Sequence, residues 1–250
     1  MDAQEKKFRQ MTEPPEEGLI CRLAVPCIIS MLVTAFYNMA DTFFVGKLNT
    51  QSTAAVGIVF TVMALIQAFG FFYGQGSGNY ISRKLGARKY EDAAIIASTG
   101  FFMAIITGVV ITIAGLIFLE PISVFLGSTP TILPYTKAYL RIILLGAPFI
   151  MSSFVLNNQL RFQGSAAYTM VGIVTGAVVN VVLDPIFIFV FDMGVAGAAL
   201  ATVISQAVSF TLLCFGSAKG GNIRISYKNF RPSRSILWEM ARGGFPSLCR

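Results

Sequence analysis

The chain has 250 residues, 55% hydrophobic and 12% charged, with 22 Phe and 23 Gly, and a mean hydropathy of +0.69, against about 25% charged residues in an ordinary soluble domain. That balance excludes a soluble globular domain and describes a polytopic membrane protein. A formal charge of +7 does not signal nucleic acid here, because the basic residues fall in short loops between apolar runs, where they report topology.

Residues 1–18 mix acids and bases around no apolar core, so they form a cytoplasmic N-terminal segment and not a cleavable signal peptide. Predominantly apolar stretches of membrane-crossing length follow over 19–46, 53–80, 93–119, 135–159, 168–191 and 194–218, and each predicts a transmembrane helix. Small residues at four-spacing inside them, such as Gly70 and Gly74, or Gly172 and Gly176, read as close helix packing. Residues 219–234 form a basic loop, and 235–250 begin a further helix-like segment with Pro246 inside it. Arg83, Lys84, Arg88, Lys89, Arg161 and the basic residues of 219–234 share the N-terminal side, whereas the other side holds little beyond Lys47, Lys137 and Arg141. The positive-inside rule therefore expects the N-terminus and the 219–234 loop in the cytoplasm. Cys21, Cys27, Cys214 and Cys249 form no CxxC pair and histidine is absent, so neither a zinc site nor a disulfide framework is supported.

Charges inside such runs are expensive, which singles out Asp41 in the first span and Asp184 in the fifth. At about 1.5 Å per helical residue, Asp41 lies roughly 7 Å and Asp184 roughly 10 Å inside the outer ends of their helices. The same arithmetic places Tyr139 about 6 Å, Thr202 about 12 Å and Asn180 about 16 Å below the outer ends of theirs. Asn180 and Asp184 are four apart on one face, and Pro185 removes the donor that the Val181 carbonyl would use. Tyr37 and Asn38 share the face of Asp41. Carboxylate, amide, hydroxyl and backbone oxygens together make a ligand set for a hard cation such as sodium, or carriers for a proton, which in a chain without histidine would fall to these aspartates. Each residue also has a plainer reading. Tyr139 and Thr202 suit interhelical hydrogen bonds or an interfacial belt. Asn157 falls near the inner end of its helix, where packing is the plainer role, and the aspartates could form a structural pair with a basic partner, though no span interior holds Lys or Arg beyond the border residues Arg22 and Arg141.

Four stretches carry a family resemblance: LAVPCIISMLVTAFYNMADTFFVGKL in the first span, GQGSGNYISRKLGARK after the second, NVVLDPIFIF in the fifth and GVAGAALATVISQ in the sixth. In this order they resemble the multidrug and toxic compound extrusion (MATE) transporters, within them the DinF-like branch. The resemblance implies an all-α integral membrane fold, the six-transmembrane-helix N-lobe of a twelve-helix transporter plus the start of helix 7, with the C-terminal lobe as its missing partner. It implies no enzyme and no cofactor, but an antiporter in the plasma (inner) membrane that exports cationic amphipathic drugs in exchange for Na+ or H+. Asp41, Tyr139, Asn180, Asp184 and Thr202 would form the cation or proton coupling network, with Na+ held by Asp41, Asn180, Asp184 and Thr202. Pro26 would be the bending point of the first helix, and Tyr37, Asn38 and Asn157 would line a cavity. Rival readings are a lipid-linked saccharide flippase of the same superfamily, which would want basic residues for pyrophosphate, an intramembrane aspartyl enzyme, for which no signature is present, and a non-transporting membrane subunit. Because the family continues through six further helices, the chain reads as an N-terminal portion.

Overall fold

A computed structural model describes residues 16–220, 223 and 225–248. Most of the expected N-terminal segment, together with Arg224, Cys249 and Arg250, lies outside these described residues. The described chain runs through α1 (Glu16–Gly46), α2 (Thr50–Gly86), α3 (Tyr90–Ile117), a short α4 (Leu119–Phe125), α5 (Leu133–Phe162), α6 (Ala166–Pro185), α7 (Gly194–Gly220) and α8 (Arg234–Leu248). Six of these helices are long and apolar enough to cross a membrane, and no strand occurs among the described residues. The bundle is thus the all-α, six-span lobe that the hydropathy expects.

Local chemistry fixes the ends. Asn49 caps α2 by accepting from the Ser52 backbone N–H at 2.6 Å. At its other end α2 outruns the expected apolar stretch by six residues, to Gly86, since Arg83 and Lys84 in its last turn suit the negative end of the helix dipole. Gly164, at φ 74, turns the chain between α5 and α6 in a conformation that side chains rarely adopt. The fifth span departs from a plain helix: after Pro185 the chain widens into a π turn over Ile186–Val190, closed by the Phe191 N–H on the Ile186 carbonyl at 2.9 Å. A proline lacking its donor removes the regular i to i−4 bond, and the wider turn follows it. By contrast α1 passes Pro26 as one continuous helix.

The centre of the lobe is α5, whose apolar window is 67% buried, whereas that of α1 is 6% buried. Around α5 pack α2, α3 and α7, while α6 lies on α7 and α1 is held chiefly by α6. Glycines let these helices approach closely, as expected: a methyl group on Gly74 would sit 3.0 Å from Asn158 Cβ, and one on Gly176 2.9 Å from Ser209 Cβ. Helix α8 lies along α2, with Gly76 on one side and Gly243 and Gly244 on the other, so close that a methyl on Gly76 would collide with the Met240 carbonyl. The connection to α8 is docked on α3, where Ser98 Oγ accepts from the Ser226 N–H at 3.2 Å and Thr99 Oγ1 from the Arg231 N–H at 3.3 Å.

Candidate functional site

Four helices deliver the five singled-out side chains to one buried region: α1 brings Asp41, α5 brings Tyr139, α6 brings Asn180 and Asp184, and α7 brings Thr202. Asp184 and Tyr139 are 0% and 1% exposed, and Asn180 and Thr202 are buried with them. Asp41 is half-buried. The four-residue spacing on α6 lets Asn180 Nδ2 point to Asp184 Oδ1, at a long 3.4 Å. The Tyr139 hydroxyl approaches Met63 Sδ at 3.9 Å, is within hydrogen-bonding reach of Thr202, and feels the charge of both carboxylates. Thr202 Oγ1 donates to the Ala198 carbonyl at 3.0 Å, which leaves the oxygen itself free to accept.

Donors are scarce in this cluster. Asp41 Oδ1, Asn180 Oδ1 and Asp184 Oδ2 are buried acceptors with no hydrogen-bond partner. The two carboxylates are close enough to interact electrostatically. The ion pairs among the described residues lie elsewhere: Arg83 with Glu239, Lys84 with Asp92 and Lys137 with Glu120. A structural pair with a basic partner is therefore not what the described residues form. Leaving buried acceptors and charges uncompensated costs on the order of several kcal/mol, so the arrangement favours a bound cation or protonated carboxyls. An oxygen-only ligand set of two carboxylates, an amide and hydroxyls matches a hard cation.

Beside the cluster, α1, α5, α6 and α7 line a partly open, mainly apolar cavity that takes in Asn180, Tyr37 and Asn157, with Thr34, Ser153, Ser205, Gln206 and Ser209 as its other polar side chains. Its free space of about 80 Å³ admits a few waters but not a drug-sized ligand, which wants roughly 300–1,000 Å³. Tyr37 and Asn157 both line it, together with Asn180 of the cluster. Asn38 is exposed and does not line this cavity. Sequence reasoning did not single out Ser153, Ser205, Gln206 or Ser209; the signal was present, since Thr202, Ser205 and Ser209 fall at i, i+3 and i+7 on one face of α7.

Six membrane-length helices packed around a polar cluster define one lobe of a polytopic integral membrane protein. A family model described as MatE matches residues 26–186, and the chain belongs to the MATE family. It is 33% identical over 226 residues to the multidrug export protein MepA of Staphylococcus saprophyticus, covering 90% of this chain and 50% of that protein. MepA of Staphylococcus haemolyticus is 32% identical over 227 residues, with the same coverage. Among solved structures, a MATE protein in complex with MaD3S superposes with a TM-score of 0.91 at 33% identity, covering 100% of this chain and 56% of that one. The outward-facing conformation of a multidrug resistance MATE family transporter matches at 0.89, also at 33% identity, over 100% of this chain and 55% of that one. The chain thus spans about half the length of the curated relatives it matches.

Proposed function

We propose that this lobe is the ion-coupling half of a DinF-like multidrug antiporter of the plasma (inner) membrane, with its N-terminus and 219–234 loop cytoplasmic, and that the whole protein exports cationic amphipathic compounds in exchange for Na+ or H+. The observation that carries the reading is the surplus of acceptors in the cluster: Asp41, Asn180 and Asp184 each bury an oxygen without a donor. A sodium ion, or one or two protons, compensates these groups, with Thr202 and Tyr139 supplying neutral oxygens. Loading draws the two aspartates together and unloading lets them repel. Since α1 is held chiefly by α6, and Asp41 and Asp184 sit on those two helices, the occupancy of the site biases how α1 seats. The names of the MepA relatives as multidrug export proteins support the substrate class.

The test is Asp41→Asn in the full-length parent protein. Ion-driven drug efflux is expected to be abolished, with protein levels in the membrane maintained; undiminished efflux overturns the reading.

A further inference from the structure

Pro148 interrupts α5 between Tyr139, in the coupling cluster, and Ser153 and Asn157, in the cavity wall. Having no N–H, it cannot serve the carbonyl of Leu144, four residues earlier. Leu144 is 2% exposed, so that carbonyl needs a partner from the protein. Helix α3 provides it: Thr112 Oγ1 donates to the Leu144 carbonyl at 2.5 Å. The same hydroxyl lies 2.9 Å from the carbonyl of Gly108 in its own helix, so its single proton has two acceptors to choose from. Gly108, one turn away from Thr112, lies flush on the proline, and a methyl there would come within 2.7 Å of Pro148 Cα. One face of α3 therefore offers a bare backbone to the proline ring and a hydroxyl to the carbonyl that the ring frees.

We propose that Thr112 is a positioning residue: it closes the proline joint in α5 and so holds the outer half of that helix, with Tyr139, in register against Asp41 and Asp184. The two-acceptor arrangement suits a joint that moves. When α5 shifts, the hydroxyl returns to Gly108, and only the Leu144 carbonyl is left without a partner. This inference goes beyond the coupling reading, and only its last readout rests on that reading.

The experiment uses the full chain, purified in detergent, as wild type, Thr112→Val, Thr112→Ser, Pro148→Ala and the Thr112→Val, Pro148→Ala double variant. Thr112→Val is expected to lower the thermal midpoint by about 2–4 °C, and Thr112→Ser to restore it. In the Pro148→Ala background, where residue 148 regains its own N–H, Thr112→Val is expected to be silent. An equal drop in both backgrounds, or none in either, overturns the proposal. Should Thr112→Val fail to fold alone, Pro148→Ala must rescue it, and failure to rescue is equally fatal. Amide exchange is expected to speed up over 133–147 while 166–185 stays as in wild type; a uniform increase shows a merely structural role and overturns the positioning claim. The sodium or proton concentration that half-protects the chain against heat is expected to shift about three- to tenfold, which for protons is about 0.5–1 pH unit, in Thr112→Val and to return in Thr112→Ser. An unshifted value in a sodium- or proton-protected chain overturns positioning. A wild-type chain protected by neither sodium nor protons removes the coupling reading, and the exchange pattern and the variant cycle then decide the joint by themselves.

Discussion

Thr202 commits its only hydroxyl proton to the Ala198 carbonyl, so toward Tyr139 and the carboxylates it presents lone pairs. That makes it an acceptor for a cation or for the tyrosine hydroxyl, and a donor to neither aspartate. Removing the oxygen forfeits one polar contact of about 0.5–1.5 kcal/mol. Thr202→Val is accordingly expected to raise the half-protecting cation concentration about two- to tenfold, and Thr202→Ser to leave it unchanged, as read from thermal protection in sodium titrations. Asp41 and Asp184 were legible in the sequence because a carboxylate has no inexpensive way to satisfy itself in an apolar run. Cavity serines were not, because a hydroxyl can hide by bonding its own helix, as Ser205 does on the Thr202 carbonyl at 2.8 Å. Asn38 shares the side of α1 that carries Asp41 by its three-residue spacing and is exposed, since spacing alone does not say which edge of that side packs against the rest of the lobe.

The contact of α2 with α8 depends on glycines from both helices, and on the Arg83–Glu239 pair at 3.1 Å, which is exposed and adds little by itself. Gly76→Ala must push α8 away from the Met240 carbonyl. Trp238, the single tryptophan of the chain, lies exposed on α8, so its fluorescence anisotropy is expected to fall in that variant; unchanged anisotropy would show that the helices adjust without parting. Short α4 is tethered by Lys137, whose Nζ donates to Glu120 Oε2 at 2.8 Å and holds that carboxyl below its ordinary 4.5. A folded-state value below the unfolded one means the tether is at full strength above about pH 4.5 and is lost as the pH falls through the lowered value. A spin label placed at Phe125 is expected to gain mobility on acidification from pH 6 to pH 3, and in Glu120→Gln to be mobile at both. The six long helices could be read from hydropathy because each carries some twenty apolar residues. A seven-residue helix such as α4 is shorter than any window that averages them, and the π turn after Pro185 is a register change that composition does not encode.

For the molecule as a whole, the order of its helices along the chain does not match their order of contact. Helix α1 rests chiefly on α6, which begins roughly 120 residues after α1 ends, while Val25, Ile28, Met31, Phe36 and Met39 stay 54–69% exposed along its length. During synthesis at about 5–20 residues per second, α1 therefore waits on the order of 10 s for the helix that will hold it. Through that interval its apolar surface is what keeps it in the bilayer, and Asp41 has no Asp184 and no Asn180 beside it. A carboxylate roughly 7 Å from the Gly46 end of α1 can be reached by headgroups and water while it waits; one at the centre of the span could not. Moving the charge inward, with Leu32→Asp and Asp41→Leu combined, is expected to lower the fraction of α1 that inserts, as measured by glycosylation mapping of the nascent chain. The shallow position of Asp41 thus answers to assembly: the acid sits only as deep as a helix without its partner can carry it.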